Sequence, residues 1–303
     1  MRATAARDRV VRDVEERVTG DGFIADVLVS ALNARVEVQT YSADNPAAMA
    51  SALEKRAAKA GVDKVFVKAR ESHREALEDA GMSTEAEIEG YFDGRPAVVL
   101  SRFLSEERRR QSAVQEQEEI LTAICRGAPD PSLEPLPKGY LLVRARPRDA
   151  VDLAELYRKV FRSYPFPIDD PAYILSTMHT NVVYRIVRDS RGALVAAASA
   201  DVDAGYRNAE MTDFATLPEQ RGTGLAQHLL AALEDDMEDL GIPNLYTIAR
   251  ARSAGMNRVF HNRGYSRTGT LVNNCHIAGR FEDMHVWCKR LPGCGEATDS
   301  PIE

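Results

Sequence analysis

The sequence predicts a mixed α/β fold: a mostly antiparallel sheet flanked by helices in its second half, preceded by a smaller α/β domain. Three observations predict it. Apolar positions switch repeatedly between a period of two and a period of 3.6, as strands and helices do in alternation. A glycine turn, Arg221-Gly222-Thr223-Gly224, joins a strand pattern to the most strongly periodic helix pattern of the chain. The stretch RGAPDPSLEPLPK at 126–138 carries four prolines and a glycine, which break both helix and strand. It reads as a linker, and 303 residues suit about two domains of roughly 100–200 residues each.

After the linker the spacing predicts a strand at 140–146, a helix at 150–161 and a proline-rich loop. Strands follow at 182–187 and 193–201, joined by the turn residues Asp189-Ser190-Arg191-Gly192, and then at 209–216. In the next helix Leu225, Leu229, Leu233, Met237 and Leu240 recur at steps of four and three, as one buried face requires. Gly241 stops it and Pro243 lies just beyond. A strand at 244–249, a short helix at 254–262 and strands at 266–274 and 283–289 complete this half.

The first half repeats part of the order. Strands are predicted at 23–30 and 35–41, a helix at 47–60 ended by Gly61, a strand at 64–69 and a helix at 71–80. A hairpin at 86–92 and 97–103 turns at Asp93-Gly94, and a polar helix covers 106–125. KVFVKAR followed by AGMSTEAEI parallels LYTIARA followed by RGYSRTGTL. A degenerate internal repeat and a coincidence of two α/β modules both remain open. The expected division is thus a first domain at 1–125, the linker at 126–138, a second domain at 139–292 and a disordered tail at 293–303.

The glycine turn is an anion site in prospect. The first N–H groups of a helix have no partner within it, and the helix dipole adds attraction for negative charge. Gly222 and Gly224 let an oxygen approach the backbone, and Ala226 is small. Arg221 or Gln220 can add donors. The first half has Asp44-Asn45-Pro46 in the matching place, so one such site per chain is expected.

With its flanking strand and helix, Arg221-Gly222-Thr223-Gly224-Leu225-Ala226 resembles the Arg/Gln-x-x-Gly-x-Gly/Ala motif of the GNAT superfamily of N-acetyltransferases, over about 140–291. The resemblance implies the GNAT fold for this half and acetyl-CoA as co-substrate; if the internal repeat is real, the first domain is a degenerate half of that fold, and otherwise it is an unrelated α/β module. The resemblance also implies that the backbone groups of Phe214, Ala215 and Thr216 pair with the pantetheine arm and that Asn257 lies near the cofactor. Gln220 to Ala226, Thr223 and Leu225 included, would hold the pyrophosphate. A tyrosine late in the short helix usually protonates the leaving thiolate in that superfamily. Here the position is Phe260, which has no proton to give: either the thiolate leaves unaided, or another donor such as Tyr265, Tyr246 or His276 substitutes.

Narrower strings, Tyr164-Pro165-Phe166-Pro167-Ile168-Asp169-Asp170-Pro171-Ala172-Tyr173, Asn273-Asn274-Cys275-His276-Ile277 and Phe281-Glu282-Asp283-Met284, are similar to the β-lysine N-acetyltransferase family over nearly the whole chain. That resemblance implies acetylation of the ε-amine of β-lysine, giving an osmolyte. The expected acceptor pocket comprises Tyr164, Phe166 and Tyr173 around an aliphatic chain, Asp169 or Asp170 for an ammonium, and Asn274; Glu282 and Asp283 either serve the second amine or cap a turn.

Acetyl transfer needs a neutral amine, and a lysine-like ammonium has a pKa of about 10.4, so a carboxylate must take a proton. Strict alternation puts Glu210, Thr212, Phe214 and Thr216 on one strand face and Asp213 on the other. Glu210 is the candidate base and Asp213 its competitor. Another amine, a protein lysine, or an acyl-CoA-sensing module without turnover remain as alternatives.

Composition narrows the partners. The net charge of −7 argues against a phosphate-tracking nucleic-acid surface. No apolar run reaches the roughly 18–20 residues of a membrane span, and the charged N-terminus is unlike a secretory signal. Cys125, Cys275, Cys288 and Cys294 form no CxxC pair, so no metal is expected and reduced thiols in a cytoplasmic protein are. A homodimer is left open.

Overall fold

The computed structural model describes residues 13–277 and 279–292. The expected tail at 293–303 lies outside them. Two compact units make up the chain: Met1–Thr84 with Leu100–Arg109, and Glu85–Val99 with Arg110–Glu303. The proline-rich stretch at 126–138 falls inside the second unit.

The first half contributes the strands β1 (Val14–Gly20), β2 (Phe23–Ser30), β3 (Arg35–Ala43), β4 (Lys64–Arg70), β5 (Ser83–Phe92) and β6 (Arg95–Phe103). Helix α1 (Pro46–Ala60) joins β3 to the parallel strand β4. Asn45 caps α1 by accepting from Ala48 N, with Pro46 behind it, so this helix start satisfies its own N–H group. Helix α2 (Arg74–Asp79) follows β4. β1 escaped the periodicity because it is largely exposed and charged on both faces. The single polar helix expected at 106–125 is two helices, α3 (Glu106–Arg109) and α4 (Val114–Cys125); the chain breaks at Ala113, whose φ is +52°.

The second sheet comprises β7 (Leu141–Arg144), β8 (Val182–Arg188), β9 (Leu194–Asp203), β10 (Asn208–Thr216), β11 (Asn244–Arg250), β12 (Ser266–Ile277) and β13 (Arg280–Arg290). Their order is β12-β13-β11-β10-β9-β8-β7. Helices α5 (Ala150–Val160) and α6 (Pro171–Thr180) precede β8, α7 (Leu225–Asp239) joins β10 to β11, and α8 (Ala254–Asn262) joins β11 to β12. Helix α6 lies where only a loop was expected; Asp170 caps it and Pro171 starts it, a start signal obscured by the prolines before it.

Two apolar clusters lie on the two faces of this sheet. Leu225, Leu229, Leu233 and Met237 of α7 pack with Ala209 and Met211 of β10, each buried leucine stabilising by about 2 kcal/mol. Leu240, expected on the same stripe, lies past the helix end and is exposed. Leu153, Leu156 and Tyr157 of α5 form the other cluster with Ile174, Tyr184, Ala197 and Ala215.

Candidate active site

Among the described residues β10–β11 is the parallel pair of the second sheet, and its pairing stops early. Asn208, Ala209 and Glu210 pair with Asn244, Leu245 and Tyr246. Beyond that, β10 stays with β9 as far as Thr216↔Ala196, and β11 stays with β13 as far as Arg250↔Met284. The two strands therefore part after Glu210, which stands at the apex of the opening.

The register of β10 against β9 also shifts between Thr212 and Ala215. Asp213 sits in this bulge with φ +54°, a left-handed conformation that Asp tolerates better than most residues. The extra residue reverses the alternation. Ala209 and Met211 belong to the α7-side cluster, and Phe214 packs against the same cluster, whereas Ala215 belongs to the α5-side cluster. Glu210, Thr212 and Asp213 thus share the α5-side face. This corrects the expectation that Glu210 shares a face with Phe214 and Thr216 while Asp213 opposes it.

On the α7 side the opening continues into a cavity of about 450 Å³. Phe214 and Thr216 line it from β10, Arg250 from β11, and Ser253, Gly255 and Met256 from the start of α8. The glycine turn closes its far end through Gln220, Arg221, Gly222, Gly224, Leu225 and Ala226. Gly222 and Gly224 both have φ +81°, where L side chains are strained. Among the described residues no acceptor meets the N–H groups of Gly222, Thr223, Gly224, Leu225 and Ala226, while the Thr223 hydroxyl is used on Gln220 O, at 2.6 Å. Arg221 and Arg250 form no ion pair among the described residues. Five free N–H groups, two uncompensated cations and a helix dipole in one cavity suit a polyphosphate.

The side chains of three expected cofactor residues point elsewhere. The Ala215 methyl is buried in the α5-side cluster, so only its backbone is left for the role expected of it. Asn257 is fully buried; its Nδ2 donates to Arg250 O, Ala251 O and Ser253 O, and its Oδ1 accepts from Trp287 Nε1 at 2.9 Å. It ties α8 to the end of β11 and leaves nothing for a ligand. Phe260 is a core residue, edge-on to Phe214 at 5.5 Å and to Tyr265 at 5.3 Å. Tyr265 lies beside Glu234 and Lys289, well inside the α7-side cluster; burial, then the Glu234 charge, pushes its hydroxyl well above the ordinary tyrosine range.

Across the sheet, Asp213 is 9% exposed. It accepts from Tyr164 at 2.7 Å and from Ser199 at 2.6 Å. Burial raises its pKa above the usual carboxylate value, and the hydrogen bonds from Ser199, Tyr164 and Thr212 pull it part of the way back. Tyr164 is pushed well above its ordinary value by burial and then by the Asp213 charge; Glu210 adds to it. Tyr173 is pushed up to about 12, by burial first and then Asp213. The Tyr164 ring lies 4.6 Å from that of Phe161, which lines the cavity. The carboxylates and the cavity are therefore neighbours through the opening in the sheet. Glu210 is half-buried, and the Tyr246 hydroxyl on the paired strand is hydrogen-bonded to it.

The expected acceptor residues divide. Tyr164 and Tyr173 face Asp213, and the Ser163 hydroxyl accepts from Gly279 N at 3.2 Å, bringing this loop to the β12–β13 turn. Phe166 is 44% exposed. Asp170 is the α6 cap, accepting from Ala172 N. Glu282 is buried and paired with Arg280 at 2.6 Å. Asn274 is buried at the irregularity between β12 and β13, where Asp283 accepts from Asn273 N and from Gln117 Nε2 of α4. Asp170 and Glu282 thus already serve the fold rather than standing free for an amine.

The sequence reading missed Phe161, Arg250, Ser253 and Met256 in the cavity, and Ser199 and Tyr157 near Asp213. Arg250 was open to it: it ends the strand parallel to β10, where a ligand on the glycine turn would lie.

A family model described as Acetyltransferase (GNAT) family matches residues 150–265. The N-acetyltransferase YodP of Bacillus subtilis (strain 168) is 38% identical over 278 residues, 90% of this chain and 98% of that protein. The chain belongs to the GNAT family. Two further relatives carry the name β-lysine N(6)-acetyltransferase. That of Methanococcus maripaludis is 42% identical over 75% of this chain and 82% of its own length. That of Methanosarcina mazei is 34% identical over 80% of this chain and 97% of its own length. This GNAT member is an N-acetyltransferase acting on an amine, and the family uses acetyl-CoA. No helix among the described residues is long and apolar enough to cross a membrane.

Proposed function

We propose that this enzyme transfers the acetyl group of acetyl-CoA to the ε-amine of β-lysine, yielding N6-acetyl-β-lysine, a compatible solute. The observation that carries the cofactor half is the cavity between the parted strands, ending on five unpartnered N–H groups with Arg221 and Arg250 beside them. The acceptor half rests on two relatives of that name aligned over most of the chain. Bound acetyl-CoA supplies an acetyl thioester. Amides 222–226 hold the pyrophosphate, and Phe214 and Thr216 guide the pantetheine arm toward Glu210.

Glu210 takes the proton from the acceptor ammonium, directly or through a water, which frees the nitrogen lone pair for the carbonyl carbon. Glu210 suits this better than Asp213, because both Asp213 oxygens already accept hydrogen bonds. Asp213 instead holds the Tyr164 hydroxyl on the acceptor side. Tyr164 and Tyr173 pack against the aliphatic chain. Phe260 has no proton to give the thiolate, which leaves unaided or takes its proton from another donor. Placement of both substrates supplies much of the rate, as it does for bimolecular group transfer generally.

Gly224→Glu tests the cofactor site. It places a negative charge among the N–H groups and is expected to weaken acetyl-CoA binding by more than about 100-fold in calorimetry. Gly224→Ala serves as the control: it carries the backbone cost of φ +81° without the charge, and should lose far less. Equal affinity of the Glu variant and the wild type would remove the site.

A further inference from the structure

The stretch at 126–140 is laid against the second unit at successive points. His261 Nε2 lies 3.3 Å from Gly127 O, and Arg263 Nη1 donates to Pro131 O at 3.3 Å, both across the end of α8. Glu134 meets His228 of α7 through a backbone hydrogen bond. Leu136 and Tyr140 pack against the α7-side core. The path ends where the Tyr140 hydroxyl donates to Gln220 Oε1.

Gln220 lines the cavity beside the glycine turn. Gln220 is half-buried; its Oε1 is taken by Tyr140, and among the described residues that is the one hydrogen bond of its side chain. The two ends of a carboxamide diverge from one carbon, so an oxygen pinned on Tyr140 turns the NH₂ group away from it. A long side chain held in one rotamer before binding has already lost the freedom that binding would cost.

We infer that Tyr140 is a positioning residue for the phosphate end of acetyl-CoA: it holds Gln220 so that Nε2 donates to the anion seated on amides 222–226. The inference rests on the acetyl-CoA reading above and adds a residue from outside the glycine turn to it. In these terms the proline-rich stretch is a strap that braces the cofactor loop. Its prolines suit that task, since they fix an extended path at low conformational cost.

The test is calorimetric titration of the full chain with CoA and with acetyl-CoA, paired with kinetics on S-acetylpantetheine, which lacks the phosphates. Tyr140→Phe keeps the ring and removes only the hydroxyl. It is expected to weaken CoA and acetyl-CoA about three- to tenfold. The KM for acetyl-CoA should rise with kcat and the KM for the amine unchanged, and kinetics with S-acetylpantetheine should not move. Gln220→Ala should show the same loss, and Tyr140→Phe added to it should cost nothing more. Unchanged CoA affinity in Tyr140→Phe, an equal loss with S-acetylpantetheine, or additive losses in the double variant would each overturn the inference. A wild-type chain that binds no CoA would instead overturn the cofactor reading, a result distinct from these.

Discussion

Asp213 combines three properties that rarely meet by accident: a left-handed backbone, burial, and two hydroxyl donors. Its folded-state pKa is raised, chiefly by burial. For a raised carboxyl, the proton is held more tightly in the folded state. The stabilisation this gives is complete below the unfolded value of about 3.9 and is lost as pH rises through the higher folded value. Asp213→Asn cannot ionise, so the stability of the variant relative to wild type should improve as pH climbs through that window. Urea unfolding at several pH values checks this, and a difference that stays flat or widens would contradict it. Glu210 carries the separate chemical claim. Glu210→Gln should lower kcat about 100-fold near neutral pH. The loss should shrink at higher pH, where more amine is already neutral, and acetyl-CoA affinity should hardly change. A pH–rate profile with full activity would remove Glu210 as the base.

At the scale of the element, the opening between β10 and β11 depends on what holds each strand end apart. A bulge turns β10, and Asn257 anchors the end of β11 to α8 and β13. Asn257→Ala would strand Trp287 Nε1 and three carbonyls in the interior, at a cost of about 2–3 kcal/mol. Thermal unfolding should show that loss, with acetyl-CoA affinity falling only as the cavity wall loosens; an unchanged melting temperature would show the side chain to be dispensable. These elements also show what the sequence could reveal. The α7 stripe, the glycine turn and the strand order around it were legible because each is a local pattern with a local cause. The bulge was not. A parity reversal depends on one residue adopting a left-handed backbone, and Asp213 has no glycine beside it to signal that. Asn257 and Phe260 were misassigned for a related reason: a position near a ligand in the chain can face either the ligand or the core, and only packing decides. The cap at Asp170 carried its signal in Asp-Pro, obscured by the neighbouring prolines.

For the whole molecule, the two sheets share a connection pattern. In the first, the order β1-β2-β3-β4-β6-β5 places a helix between the parallel strands β3 and β4 and exchanges the last two strands. The second does the same from β8 to β13, with α7 between β10 and β11. The parallel wording of the two halves thus has a counterpart in topology. The chemistry has none, because Asn45 and Pro46 satisfy the start of α1 while the start of α7 is left open for an anion. Under the proposed function the cofactor site therefore belongs to the second half, where the start of α7 faces the cavity, and the amine comes to the tyrosine-lined face across the sheet from it. The most direct test of that account is thiol release from acetyl-CoA by the full chain with a panel of amines, the product located by mass spectrometry. β-Lysine is expected to give the highest kcat/KM and to be acetylated on its ε-nitrogen. A higher kcat/KM for another amine, acetylation elsewhere, or acetyl-CoA binding with no release by any amine would contradict it.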